Sequence, residues 1–349
     1  MSGSYMTTVL FRLTTQEIKM IVPITEYDIV FMSYDEPNAD ENYADLLTKA
    51  PWAKRSHGVK GSDACHKAAA ALSETDRFIT VDADNIVRDD FFNIALDTNR
   101  FGPHDVISWA GKNVVNGLVY GNGGIKCWPK AVVEQMKTHE AASSSNPSSQ
   151  VDFCWDINYH QMNNVYSDVH NNSTPYQAYR AGFREGVKLT LADGQTVDSR
   201  ALRAKVHYKN YQRLLVWMSV GTEVQNGLWA MYGTRLGCYL TNLARDKFDY
   251  VNVADFDWHD KYWANEVAPK FASDPDTSCP RSGYKWNAAA LQQETIRLGQ
   301  VLRQQLDLEV ADLDSHGSAF FKATYVNPNR LGPMIKESQV LAGVGDNNE

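Results

Sequence analysis

Cysteine is scarce in this 349-residue chain, which holds five: Cys65, Cys127, Cys154, Cys238 and Cys279. The number is odd and no two are spaced as Cys-x-x-Cys, so neither a disulfide framework nor a zinc site is indicated, and reduced thiols are expected. Long apolar runs are missing. None approaches the roughly 20 residues that cross a bilayer, and no charged-then-apolar signal segment opens the chain, so the expectation is a cytoplasmic protein with no membrane association. Excess positive charge is also absent. Lys and Arg number 34 against 42 Asp and Glu, a net charge of −8, which argues against a protein that coats nucleic acid over its whole surface. Neither a Gly-x-Gly-x-x-Gly fingerprint nor a Walker-type lysine after a glycine-rich loop is found. No internal repeat and no obligate protein partner is evident.

What remains is ordinary globular material. Hydrophobic residues make up 43% and charged residues 22%, enough to bury a full core. The run Tyr-Asp-Ile-Val-Phe-Met-Ser-Tyr at 27–34 reads as a strand, the turn Asp-Glu-Pro-Asn follows it, and 42–49 has helical spacing. A second strand at 53–59, an alanine-rich helix at 63–73 and a third strand at 77–81 continue the alternation. Such alternation predicts an α/β fold with a mostly parallel sheet flanked by helices. Further on, a strand is expected at 105–110, helices at 129–138 and 152–163, a short strand at 165–170 and a helix at 177–187. Residues 208–246 read as a long aromatic helical stretch and 287–305 as a further helix, so the C-terminal region is expected to be mainly helical.

In a sheet of this kind ligands sit at the carboxyl ends of the strands. Asp35, Gly58 and Asp82 all fall at such ends. The third strand runs directly into Asp82-Ala83-Asp84-Asn85, which presents two carboxylates one residue apart. Hard oxygen ligands of that type suit Mg2+ or Mn2+ bridging a diphosphate. An isolated Asp-x-Asp is often only a turn or a cap; here the apolar strand before it favours a metal site.

These features together resemble the nucleotide-binding half of GT-A glycosyltransferases, over roughly residues 24–200. That resemblance implies a 24–200 nucleotide-sugar-binding and catalytic domain and a 201–349 helical region with acceptor contacts. It implies a UDP-sugar donor and a divalent cation held by Asp82 and Asp84 around Ala83. Ser33, Tyr34 and Asp35 would touch base and ribose. Arg55, His57 and Lys60, with Lys67 on the next helix, would approach base or phosphate, each having a plain surface role as its alternative. The glycine-rich turn carrying Gly123 and Gly124 would border donor sugar and acceptor. Asp152 or Asp156, sharing a helix face, would be the base that deprotonates the acceptor, or else a helix cap and a solvated residue. The Glu-Asp pair usual in the family is not present there, which leaves the stereochemistry open. His170 would add a third metal ligand, with His207 as the alternative; a lone histidine is otherwise structural.

The phrases Phe-Met-Ser-Tyr-Asp-Glu-Pro-Asn from Phe31, Tyr-Gly-Asn-Gly-Gly-Ile-Lys-Cys-Trp-Pro-Lys from Tyr120 and Ala-Tyr-Arg-Ala-Gly-Phe-Arg-Glu-Gly from Ala178 are similar to glycosyltransferases of large tailed phages. That likeness implies DNA bearing 5-hydroxymethylcytosine as acceptor and a pentose or hexose as the sugar. Base flipping onto Trp109, Tyr120, Trp128 or Trp155 would follow, unless these pack the core. Arg180, Arg184 and the basic residues of 200–213 would then contact phosphates. A protein or polysaccharide acceptor, a nucleotidyltransferase and a non-catalytic binding protein are the competing readings. The acidic, glycine-free turn after the first strand counts against the nucleotidyltransferase.

Overall fold

The computed structural model describes residues 21–120, 123–141, 147–151, 157–273, 285–325 and 341–342. A short strand β1 (Ile21–Pro23) leads into β2 (Asp28–Ser33), helix α1 (Ala39–Lys49), β3 (Lys54–His57), helix α2 (Ser62–Leu72) and β4 (Arg77–Asp82). Strand β2 pairs in parallel with both β3 and β4. Its side chains alternate between two apolar layers, as a strand buried on both faces requires. Ile29 and Phe31 pack with Leu46 of α1 and with Ile79 and Val81. Val30 and Met32 pack with Ala69 and Ala70 of α2 and with Phe78. The same alternation places Asp82 at the carboxyl end of a strand whose core residues are wholly buried.

Strands β5 (Asn85–Val87), β6 (Ala95–Asp97), β7 (Val106–Asn113), β8 (Val119–Tyr120) and β9 (Ile125–Pro129) follow, then helices α3 (Lys130–Gln135) and α4 (Pro147–Val151) and the long strand β10 (Tyr159–Val169). The main sheet runs β3-β2-β4-β9-β7-β10-β5, with β8 beside β7. It is mixed, not mostly parallel. Pairs β2/β3, β2/β4 and β7/β10 are parallel, whereas β4/β9, β7/β9, β7/β8 and β5/β10 are antiparallel. The connection from β7 to β9 is too short for the crossover of a dozen or more residues that a parallel return needs, so β9 comes back antiparallel. The sequence reading assigned no strand to 125–129. Five consecutive buried residues, with Lys126 in their midst, carry no period-two signal.

The helix expected at 152–163 does not form over the described part of that span. Residues 159–163 belong to β10, paired with β7 from Tyr159↔Val106 onward, and are not helical. The strand is bulged between Gln161 and Val165 and again before Ser167, which breaks the alternation that would have identified it.

Helix α5 (Pro175–Lys188) opens the helical half. It starts where Thr174 Oγ1 accepts from the Gln177 amide with proline at the first helical position. A small hairpin, β11 (Leu191–Ala192) and β12 (Gln195–Thr196), precedes α6 (Leu202–Lys205), α7 (Tyr208–Ser219), α8 (Gly227–Leu243), α9 (Phe256–Tyr262), α10 (Ala268–Phe271), α11 (Ala288–Leu306) and α12 (Ser315–Thr324). Strand β13 (Leu341–Ala342) joins β1 and β6 in a separate small sheet. The stretch 208–246 is two helices, because the chain turns between Val220 and the left-handed Asn226. One apolar cluster joins Ala178, Tyr179 and Phe183 of α5 to Trp217, Trp229, Trp263, Leu298 and Val310, so α5 is packed into the C-terminal helical core. No described helix is long and apolar enough to cross a membrane.

Helices α5 and α8 meet at four glycines. A Cβ on Gly182 would lie 1.9 Å from the Ala230 carbonyl oxygen, one on Gly186 2.1 Å from that of Thr234, and one on Gly233 2.1 Å from that of Tyr179. Gly237 faces the Phe183 carbonyl oxygen at 2.4 Å in the same sense. Two Gly-x-x-x-Gly stripes, one per helix, thus allow backbone-to-backbone contact and set the rotation of α5 about its axis.

Candidate active site

The carboxyl ends of β2, β3 and β4 lie side by side in the sheet, and the Asp82-Ala83-Asp84 turn leaves the last of them. The turn is held from several directions. Asn42 of α1 donates to the Ala83 carbonyl at 2.8 Å, and the Asp82 amide donates to the Gly124 carbonyl at 2.9 Å. The His170 amide donates to the Asp84 carbonyl at 2.6 Å, because β5, immediately after the turn, pairs antiparallel with the end of β10. Asn38 closes the ring: its Nδ2 donates to the His170 carbonyl at 2.9 Å, and its Oδ1 accepts from Gln177 of α5 at 3.3 Å.

Asn85 works from below the turn. Its Nδ2 donates to Asp84 Oδ1 at 2.7 Å, while its Oδ1 accepts from Ser167 Oγ at 2.8 Å and from the Gly124 amide at 3.3 Å. Gly124 must lack a side chain, since a Cβ there would meet Asn85 Nδ2 at 2.2 Å and Asp82 Cβ at 2.7 Å. Gly123 is equally confined, against the Gly111 amide nitrogen at 2.3 Å. The two glycines therefore form the floor on which the aspartates rest. Lys126, buried, donates to the Gly123 carbonyl at 3.2 Å.

Electrostatically the turn carries uncompensated negative charge. Burial, Asp82 and Glu36 together push the Asp84 carboxyl up to about 7, against smaller opposing effects from Asn85 and Arg184. Asp82 makes no ion pair with a described residue. Among the described residues no three His, Cys, Asp or Glu groups converge as a ready metal cage. A catalytic Mg2+ or Mn2+ does not need one: it is commonly held by one or two carboxylates and completed by substrate phosphates. A half-buried carboxylate pair that forms no ion pair among the described residues fits such an ion.

The other residues expected at the site divide into three groups. Ser33, Arg55 and His57 form a network at the ends of β2 and β3: Ser33 Oγ lies 2.9 Å from His57 Nδ1 and accepts from Arg55 Nε at 2.9 Å. The Arg55 guanidinium also lies over Tyr43 and pairs with Asp40 at 2.8 Å. The Tyr34 amide donates to Glu36, and Asp35 is exposed beside it. Lys60 is engaged elsewhere, in an ion pair of 2.7 Å with Asp257 of α9, and Lys67 is exposed, 3.9 Å from Asp63. Asp152 and Asp156, the candidate bases, and Trp155 lie outside the described residues, as do Cys154 and Cys279, whereas Cys65, Cys127 and Cys238 are free thiols.

Several expected DNA contacts have structural occupations. Trp109 and Trp128 are wholly buried. Tyr120 donates to Glu185 at 2.6 Å and accepts from Trp217. His207, the alternative metal ligand, caps α7 by accepting from the Lys209 amide. Arg203 pairs with Glu309, and Arg213 covers the Tyr120 ring.

Asn85 is visible in the sequence as the residue that follows the Asp-x-Asp, although not its bonds to Ser167 and Gly124. Glu36, Asn38 and Asn42 act through contacts with distant segments that no local pattern shows. Comparison with protein-family models, with curated proteins and with solved structures finds no match to this chain.

Proposed function

We propose that the protein is a metal-dependent glycosyltransferase that takes its sugar from a UDP-sugar. The observation that carries this reading is the pair of half-buried carboxylates, Asp82 and Asp84, at the carboxyl end of β4, without an ion pair to any described residue and with Arg184 of α5 near enough for its charge to act on Asp84. Asp82 and Asp84 would hold Mn2+ or Mg2+, with His170 beside them. The ion supplies neutralisation of the charge that develops on the leaving nucleotide. Ser33, Arg55 and His57 would receive the base and ribose, and the backbone at Gly123 and Gly124 would border the donor sugar. The acceptor hydroxyl would give its proton to Asp152 or Asp156.

For the acceptor we propose 5-hydroxymethylcytosine in DNA, on the strength of the phage-type resemblance. The turn after β2, with Glu36 bonded to the Tyr34 amide, is acidic where a nucleotidyltransferase places a basic glycine-rich loop. The test is nucleotide release with Mn2+ and a panel of UDP-sugars, on hydroxymethylated and on unmodified DNA, with the product nucleoside weighed by mass spectrometry. A gain of one sugar on hydroxymethylated DNA alone supports donor and acceptor together. Metal-dependent release without transfer to DNA retains the enzyme class and discards the DNA acceptor. No release with any donor discards both.

A further inference from the structure

Helix α5 carries its side chains in two opposed sets. Gly182 and Gly186 lie against α8, and the α5 backbone rests on the α8 backbone there. Gln177, Arg180 and Arg184, at spacings of three and four residues, share the other side. That side lies toward the Asp84 turn, because Gln177 bonds Asn38, and Asn38 bonds the His170 carbonyl, whose own amide bonds Asp84. The charge of Arg184 is felt at Asp84 itself.

Carboxylates near these guanidinium groups, Asp35 and Asp260 for Arg180 and Asp84 for Arg184, act on them through charge without direct pairing. Among the described residues, Arg180 and Arg184 take part in no ion pair and no hydrogen bond, although other arginines on the same chain, such as Arg88 and Arg235, pair with carboxylates at 2.7 Å. Arg180 lies with its guanidinium 3.8 Å from the centroid of the Phe256 ring, and its Nε is buried without a partner. Burial, with Arg184 next to it, pushes Arg180 down to about 10, so it remains a cation at neutral pH. Two like charges one turn apart, partly removed from water, are unfavourable unless an anion joins them.

We infer that Arg180 and Arg184 form a binding site for a diphosphate on the face of α5 that lies toward the Asp84 turn, independent of the divalent cation. Planar guanidinium groups bind phosphoryl oxygens in pairs, and side chains one helical turn apart, with Cβ atoms roughly 5–6 Å from each other, span two adjacent phosphoryl groups. Phe256 and the backbone contact with α8 keep the arginines in place before the ligand arrives. That this diphosphate belongs to a sugar donor rests on the glycosyltransferase reading; the binding of the anion does not.

The test is calorimetric titration of the full chain with inorganic pyrophosphate in EDTA, for wild type, Arg180→Gln, Arg184→Gln and Asp84→Asn. Wild type and Asp84→Asn should bind saturably, and each arginine variant should bind at least about tenfold more weakly. Should Arg180→Gln fail to fold by circular dichroism, the partly exposed Arg184→Gln carries the comparison. Absence of saturable binding by wild type overturns the inference, as does wild-type affinity in Arg184→Gln. A single-stranded oligonucleotide that binds with the same arginine dependence while pyrophosphate does not would also overturn it, in favour of a nucleic-acid backbone. Pyrophosphate binding in EDTA without any metal-dependent release from UDP-sugars would leave the anion site standing and remove the glycosyltransferase reading.

Discussion

The amide of His170 donates a hydrogen bond of 2.6 Å to the carbonyl of Asp84. Two segments far apart in the chain are thereby fastened at the turn that carries the carboxylate pair. Asn38, just before α1, bonds the His170 carbonyl and Asn42 of α1 bonds the Ala83 carbonyl, so both sides of the same junction are held.

Asp84→Asn should abolish metal-dependent nucleotide release, with a loss of at least about a hundredfold. The same variant should melt no lower than wild type in EDTA, since it removes a buried carboxylate crowded by Asp82 and Glu36. Steady-state release assays with scanning calorimetry check both. Retained turnover would end the assignment of this residue to the metal.

Asn85→Ala removes one donor and one acceptor that serve Asp84, Ser167 and Gly124 at once. It should cost about 1–3 kcal/mol in urea unfolding. Gly124→Ala should be more damaging to activity than to helix content, because the new methyl group strikes Asn85 and Asp82 directly. Turnover equal to wild type in Gly124→Ala would contradict the role of the glycine floor.

In a helix interior, Gly→Ala ordinarily stabilises by roughly 0.5–1 kcal/mol. At Gly186 the sign should reverse, since the added Cβ would stand 2.1 Å from the Thr234 carbonyl oxygen. Overpacking against backbone should destabilise Gly186→Ala by about 1–3 kcal/mol. It should also weaken pyrophosphate binding by moving the α5 arginines. A urea midpoint at or above that of wild type would show that the helices are not in backbone contact.

His259, 1% exposed, donates from Nε2 to the Val253 carbonyl. Burial, followed by the charge of Arg180, pushes it down to about 3 from an ordinary 6.5. The unfolded chain takes up this proton as pH falls through 6.5, while the folded chain refuses it until about 3. The stability linked to His259 is therefore complete above pH 6.5 and lost progressively below it, by up to about 1.4 kcal/mol per pH unit. Urea unfolding of wild type and His259→Gln at pH 7.5, 6 and 5 isolates this slope as a difference. Parallel pH profiles for the two proteins would refute it.

Local sequence determined the first half of the chain well. The apolar runs of β2 and β4 announce buried strands because burial on both faces demands uninterrupted hydrophobicity. The alanine-rich α2 and the Asn287-capped α11 also follow from propensity and capping alone. The Asp82-Ala83-Asp84 turn could be read from its place after such a strand. Tertiary structure decided what local patterns do not encode. Strand β9 inserts antiparallel between β4 and β7 because of loop length and partner availability, and the bulged β10 gains its strand character from β7. His170 reaches Asp84 only through the pairing of β5 with β10. The arginines of α5 lie toward the Asp84 turn only because four glycines let α5 and α8 touch, and that contact joins residues about 50 positions apart, beyond the reach of any periodicity along the chain.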